Sequence, residues 1–199
     1  MDILNSSLYK VLDRITNLFF INVLWLLSSL PLITLFPATA AMFGVFRDWT
    51  EGKEEKLFKS YFKHFKSNFK HSFLYGILWF MIITIFYLDL TIISDFETYN
   101  FALTSLLFLL FILVAFNTVY FVPISIHFKL TLFGKIKHSF LFSIMFFPTT
   151  ILCILIGMVA LLIAIFMPAF MFIIFSPAGY GIFRLCYRTF KKLDQKRSL

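Results

Sequence analysis

The chain has 199 residues, of which 60% are apolar and 14% are charged, and its mean hydropathy is +0.89. A soluble domain of this size needs a largely polar surface, so the composition excludes that class and indicates an all-α integral membrane protein of five or six helices. The net charge of +8 does not indicate nucleic-acid binding, because the basic residues flank apolar blocks and so face anionic lipid headgroups.

All 18 Lys and Arg residues fall within four clusters, at residues 10–14, 47–70, 129–137 and 184–197. A cation is costly at the centre of a bilayer but not at its cytoplasmic surface, where positive charge accumulates. If every cluster is cytoplasmic, each apolar block between two clusters must leave that side and return to it. The pattern therefore predicts one membrane domain over residues 1–199, built of three helical hairpins with both termini in the cytoplasm.

The first hairpin, over residues 15–49, is ambiguous because its apolar block is too long for one span and too short for two full spans. In one topology a single helix crosses the membrane and the N-terminal cations lie outside, against the charge rule. In the other, residues 15–30 ascend, the chain turns between Pro31 and Pro37, and a short Pro-started segment 37–49 descends. We favour the second topology because it places every cation on one side.

Residues 50–71 form a cytoplasmic segment, and their pattern predicts an amphipathic helix over about residues 54–71. Aromatic and basic side chains both recur every three or four residues, which places them on adjoining faces of a helix. Such a helix lies in the headgroup region, with its rings inward and its ammonium groups on lipid phosphates. Alternatively, the rings pack on the protein's own spans, or the helix docks a partner. The stripes consist of Phe58, Phe62, Phe65 and Phe69 and of Lys56, Lys59, Lys63, Lys66 and Lys70.

The second hairpin covers residues 72–126, and the third covers residues 138–184. Residues 95–100, which join the two helices of the second hairpin, are acidic and carry no cation, so we expect them outside the cell. The third hairpin has no charged residue between its two ends and needs a tight turn. Residues 185–199 follow it as a basic cytoplasmic tail.

Prolines mark the predicted helix breaks in this third hairpin. Pro168 is expected to form its turn, while Pro148 and Pro177 are expected to kink its two helices. Pro177 also matches Pro37, because each opens a segment that runs through small residues to a Phe-Arg pair. Corresponding broken helices in two halves of a chain can mark a transport site.

The polar residues at predicted membrane depth include four candidates for a functional role: Asn22, Thr34, Thr39 and Asn117. A polar group in lipid must find a partner, so these side chains either bond between helices or line a solute pathway. We favour bonding between helices for the two asparagines and keep the pathway as the alternative.

The sequence contains no motif of enzyme or metal chemistry. There is no HExxH, no Gly-rich phosphate loop and no CxxC. Cys153 lies inside an apolar block and Cys186 beside a basic cluster, so their positions do not suggest a disulfide. We therefore expect a non-enzymatic protein without catalytic residues, cofactors or bound metals.

Spaced motifs recur through the first 75 residues: Asn22-x-x-Trp25, Ser29-Leu30-Pro31-x-x-Thr34-x-x-Pro37-Ala38-Thr39-Ala40-Ala41, Gly52 and Phe62-x-x-Phe65-x-x-Asn68-Phe69. With these motifs the segment resembles the opening of the YesL-like family, bacterial integral membrane proteins without an assigned function. The resemblance implies a multi-pass protein of the bacterial cytoplasmic membrane. Many members of the family are encoded beside sugar-uptake transporters and polysaccharide-degradation genes, which implies an accessory role in carbohydrate import.

Two functions remain open on the sequence. The first is an accessory or scaffold subunit that works with a transporter subunit and anionic lipid. The second is a small solute carrier whose site lies at the Pro-broken helices near Pro37 and Pro177. The sequence does not indicate an oligomeric state.

Overall fold

The computed structural model describes residues 2–53, 55–95, 101–128 and 130–197, and these residues form seven α-helices, two 3-10 turns and no strand. Five of the helices are long and apolar enough to cross a membrane, which confirms the all-α membrane protein. The helices are α1 (Asp2–Ser29), α2 (Leu35–Thr50), α3 (Leu57–Asp95), α4 (Phe101–His127), α5 (Leu132–Met145), α6 (Phe147–Phe166) and α7 (Met171–Arg197). The candidate spans are Val11–Ser29, Leu57–Leu88, Thr104–His127, Phe147–Phe166 and Pro168–Lys192.

The chain folds back between α1 and α2 through a 3-10 turn at Leu32–Thr34. The Thr34 hydroxyl bonds back to the chain before the turn, where it lies 2.6 Å from Ser28 O and 2.7 Å from Pro31 O. Pro37 lies in the first turn of α2, where a helix needs no N–H from it. The two helices are antiparallel, and α2 begins two residues earlier than the Pro-started segment that the sequence suggested.

The second helix, α2, lies at the centre of the bundle and contacts α1, α3, α4 and α7. Ten of its sixteen residues are buried. Small residues permit this, because a helix with alanine and glycine on several faces lets neighbouring backbones approach closely. Gly44 shows how close they come: a Cβ built on it would lie 2.3 Å from Cγ of His64 in α3.

The amphipathic segment differs from the sequence prediction, because it is not a separate helix. It forms the first part of α3, which continues without a break from Leu57 into the first span of the second hairpin. Both parts of α3 pack on α2, because His64 lies against Gly44 and Gly76 lies against Phe36. Contact with the same helix therefore keeps the two parts of α3 collinear. The joining residues 96–100 of this hairpin lie outside the described residues.

The buried face of α3 is polar and aromatic, and the phenylalanine stripe lies beside it. Ser60, Tyr61, Ser72 and Tyr75 are all at most 4% exposed. Four phenylalanines of the stripe are less buried, with Phe58 and Phe62 exposed and Phe65 and Phe69 half-buried; the five lysines are exposed. Phe58 and Phe62 are therefore available to lipid, whereas serine and tyrosine side chains form the buried face of α3.

The third hairpin begins with a short helix, α5, which buries polar residues and exposes apolar residues. α5 buries Lys135, Ser139 and Ser143 and exposes Phe133 and Leu141. Fourteen residues span about 21 Å, which is too short to cross a hydrocarbon core of about 30 Å. An inward polar face with an outward apolar face is expected of a helix that contacts lipid.

The predicted turn at Pro168 is present, but the ascending helix is broken where a kink was predicted. α5 ends at Met145, Phe146 leaves the helical conformation, and α6 begins with Pro148 in its first turn. Pro148 cannot supply the N–H that would continue the ladder from α5. α7 continues as a helix through Pro177 and through the predicted tail as far as Arg197.

Candidate functional site

The four candidate pathway residues are all engaged in hydrogen bonds within the protein. Asn22 is fully buried on α1, where its Nδ2 donates to Met171 O at 2.9 Å and its Oδ1 accepts from Ser176 N at 2.8 Å. Thr39 accepts from Trp25 Nε1 at 3.0 Å. Thr34 lies in the first turn, and Asn117 bonds to other helices as described below. The structure therefore distributes these residues over separate inter-helix contacts.

Asn22 holds the segment of α7 that precedes Pro177. Its two bonds join α1 to the first turns of α7. We expect Asn22→Leu to lower the free energy of unfolding in detergent by about 1–2 kcal/mol, because it removes both inter-helix hydrogen bonds and places an apolar side chain against the backbone of α7. The matched control is Asn17→Leu, since Asn17 is only half-buried and bonds only to Asp13 of its own helix. Equal effects of the two substitutions would contradict the assignment.

The two Pro-started segments pack directly against each other. A Cβ on Gly179 of α7 would lie 2.7 Å from Cε of Met42 in α2. Ring pairs continue the contact, with centroids 5.9 Å apart for Phe43 and Phe183 and 5.3 Å apart for Phe46 and Tyr180. The similarity of the two segments in sequence thus corresponds to a shared interface in the fold.

A buried acid joins the end of α2 to the start of α3. Asp48 is 4% exposed, and its Oδ2 accepts from Ser60 Oγ at 2.7 Å and lies 2.7 Å from His64 Nε2. Lys53 Nζ lies 3.5 Å from Oδ1. Burial opposes ionisation, but the hydrogen bonds from Ser60 and His64 and the nearby charge of Lys53 outweigh it and lower the pKa of Asp48.

This acid cluster is not a nucleophilic triad. Ser60 and His64 both bond to the same carboxylate oxygen, whereas nucleophilic catalysis needs the histidine to accept from the serine. A second ion pair, between Arg47 and Glu51 at 2.6 Å, lies beside it, and Arg47 Nη1 donates to Ile126 O of α4 at 2.6 Å. Together these bonds fix α2, α3 and α4 to one another.

The sequence prediction missed this cluster, although a signal was present. Ser60 and His64 are four residues apart and so share one face of a helix. Asp48 is the single acid among the apolar residues that end α2. What no sequence pattern provided was the antiparallel packing that brings the two elements together.

A second polar group links α3, α4 and α5. Tyr75 OH donates to Asn117 Oδ1 at 3.0 Å, and Asn117 Nδ2 donates to Ile136 O at 2.9 Å. Trp79 Nε1 donates to Thr118 Oγ1 at 2.6 Å. These residues border a cavity of about 260 Å³ that is mostly apolar, and its lining includes Leu78, Ile82, Leu113, Val114 and Phe140.

Lys135 lies close to this cavity and is 4% exposed. Its Nζ is 2.9 Å from Nδ1 of His71, and burial lowers the pKa of the amine. No carboxylate of the described residues lies within 4 Å of it, whereas Arg47, Lys53 and Lys63 each pair with a glutamate. The site thus holds a buried amine whose partner is neutral or basic.

The two cysteines, which the sequence places at different depths, meet between α6 and α7. Both are buried within a cluster that includes Tyr120, Ile124 and Phe190. The tight turn at Pro168 makes the two helices antiparallel, so residues almost equally distant from the turn become neighbours.

Comparisons with known proteins agree with the resemblance seen in the first 75 residues. The family model "Protein of unknown function, DUF624" matches residues 18–90. "Uncharacterized protein YesL" of Bacillus subtilis is 26% identical over 92% of this chain and 89% of its own length. "Uncharacterized protein YteU" of the same organism is 28% identical over 87% of this chain and 81% of its own length. No solved structure matches the chain. The resemblance of this multi-pass membrane protein to the YesL-like family of uncharacterised proteins is therefore confirmed.

Proposed function

We propose that the protein is a non-enzymatic accessory or scaffold subunit of the bacterial cytoplasmic membrane that assists a carbohydrate transporter. One observation carries the proposal: the exposed lysine stripe of α3 lies on a helix that buried hydrogen bonds fix to α2. The link to carbohydrate rests on the family resemblance. In this arrangement both termini are cytoplasmic, and the stripe faces a transporter subunit and anionic lipid.

The fixed position of α3 against α2 distinguishes this lysine stripe from an ordinary basic loop. The Asp48 cluster fixes the first turns of α3 to α2, and Gly44 allows the two helices to touch. Phe58 and Phe62 are 54% and 56% exposed beside the lysines. Exposed aromatic rings next to fixed cations suit an acidic, partly apolar surface on a partner, because the cations orient the encounter and the rings provide buried area.

Co-purification from gently solubilised membranes tests the proposal in cells growing on the relevant glycan. We expect a transporter component to be recovered with the wild-type protein. Reversing Lys59, Lys63 and Lys66 to glutamate should reduce that recovery by at least about tenfold, because like charges then face the partner. Lys191→Glu with Lys192→Glu is the control, since both lysines are exposed elsewhere on the chain. Wild-type preparations without any transporter component would contradict the proposal.

The proposed orientation predicts a labelling pattern. In a protein without Cys153 and Cys186, a Ser6→Cys variant should react with a membrane-impermeant maleimide only after the cell membrane is opened. Thr98→Cys should react in intact cells, because the acidic connection is expected outside. Labelling of Ser6→Cys from outside would contradict the orientation.

A small solute carrier is the second candidate, and the contact between the two Pro-started segments favours it. Carriers built from two repeats place corresponding segments of the repeats together at the substrate site, and here the matching segments of α2 and α7 meet as continuous helices. Gly179 keeps α7 against Met42, so this interface is where a pathway would open. Uptake of a sugar by proteoliposomes that contain only this protein would support the carrier. If none of the sugars tested is taken up, the result counts against it.

A further inference from the structure

Lys135 is the starting point, because its environment does not account for its charge. An ammonium group removed from water is costly unless an anion compensates it. Lys135 is 96% buried, its nearest polar partner is His71, and the described acids lie elsewhere. The positive charge of Lys70 also acts on the His71 ring. The site is therefore electropositive and lacks an anion of its own.

An apolar cavity begins one helical turn away. Tyr75 follows His71 by four residues on α3, so the two side chains share one face. Leu78, Trp79 and Ile82 continue along that face and line the cavity. Ile136, next to Lys135 on α5, lines it as well. A cationic end and an apolar groove are thus continuous along α3.

The length of this feature fits one leaflet of a bilayer. From His71 to Ile82 is eleven residues, or about 16 Å along the helix. Half of a hydrocarbon core is about 15 Å. A molecule with an anionic head and an acyl chain would therefore place its head at Lys135 while its chain fills the groove.

A ligand would reach the Lys135 ammonium past His71, because His71 is only half-buried and Lys70 beside it is exposed. The lysine side chain is flexible, with three donors on its terminal nitrogen. One of these donors meets His71, so two remain for phosphate oxygens.

We propose that the groove between α3, α4 and α5 binds one anionic phospholipid, with its phosphate on Lys135 and one acyl chain along Tyr75, Trp79 and Ile82. The phosphate supplies the counter-charge that the described part of the chain lacks at this position. The rim of Tyr75, Trp79 and Asn117 is held in place by its bonds to α4 and α5, so the groove is formed before the lipid enters. This site is distinct from the exposed lysine stripe, whose cations would contact many lipids that exchange with the surrounding bilayer.

Native mass spectrometry of the full chain in detergent tests the proposal with phosphatidylglycerol and phosphatidylcholine as probes. We expect one phosphatidylglycerol to be retained per chain, with phosphatidylcholine retained about tenfold more weakly, because its choline cation cancels the net charge of the headgroup and is repelled by Lys135 and Lys70. Lys135→Met should remove this preference. Lys137→Met, an exposed lysine on the same helix, should leave it unchanged. Inorganic phosphate at millimolar concentration should not displace the lipid, because it lacks the chain.

Two further measurements keep the result interpretable. Lys135→Met removes a buried charge, so it should unfold at the same temperature as wild type or higher in lipid-free detergent. Leu113→Trp fills the groove while leaving Lys135 in place, and it should also reduce lipid retention. Equal retention of the two lipids by wild type, unchanged preference in Lys135→Met, or displacement by free phosphate would each overturn the proposal.

Discussion

Asp48→Ala should lower the free energy of unfolding by about 3 kcal/mol, because it leaves the buried partners of the carboxylate without their acceptor. Ser60 Oγ and His64 Nε2 both lie 2.7 Å from one Asp48 oxygen, and Ser60 is 2% exposed. The buried Ser60 hydroxyl cannot turn to bulk water without separating α2 from α3. Unfolding of the protein in mixed micelles, followed by helix content, measures the change.

The control for this substitution is Glu55→Ala. Glu55 pairs with Lys63 at 2.7 Å, but both side chains are largely in water, at 32% and 57% exposure. An exposed pair of this kind contributes between about 0 and 1 kcal/mol. If the two substitutions cost the same, the Asp48 cluster is not the connection between the helices that its burial indicates.

The pH dependence of stability follows from the direction of the Asp48 pKa. Its pKa in the folded protein lies below the ordinary value of 3.8. Stability from the ionised carboxylate is therefore complete above that ordinary value and is lost as the pH falls through the lower, folded pKa. We expect wild type to lose this contribution in acid and Asp48→Asn to show a flatter profile over the same range.

Gly44→Ala should be the second strongly destabilising change, at about 2 kcal/mol or more. The new methyl group would lie 2.3 Å from Cγ and 2.7 Å from Cβ of His64. These atoms are next to the backbone of α3, so the histidine cannot yield by rotating its far end. The helices must move apart, and His64 then leaves Asp48.

Gly181→Ala provides the matched control, because nothing lies within 4 Å of a Cβ built on that helical glycine. There the substitution should be neutral or should stabilise by up to about 1 kcal/mol, as alanine favours a helix over glycine. A comparison of thermal unfolding of the two variants in one detergent measures both effects. A stable Gly44→Ala variant with an intact Asp48–His64 bond would contradict the close packing of α2 against α3.

The positions of the membrane spans could be predicted from the sequence because the bilayer acts on each segment separately. Four basic clusters, with apolar blocks free of Lys and Arg between them, are enough to locate helices of spanning length. Pro168 marked a turn for an equally local reason, since it breaks a backbone ladder wherever it occurs. The resemblance of the first 75 residues also needed only short spaced motifs.

The face of each helix that forms the core could not be predicted in the same way. In water an apolar stripe faces inward, but in a membrane it can face either lipid or protein. The phenylalanine stripe of α3 therefore looked like a contact surface, whereas Ser60, Tyr61 and Tyr75 beside it form the buried face. α5 has the same inversion, with Lys135 inside and Phe133 outside.

The sequence by itself determined that this chain crosses a membrane several times, because burial of apolar length and exclusion of cations from lipid are local properties. Only the tertiary structure decided which polar residues meet. Asp48 and His64 are separated by 16 residues, and His71 and Lys135 by 64. Contacts of that range depend on how helices cross and turn, and no periodicity within one helix encodes them.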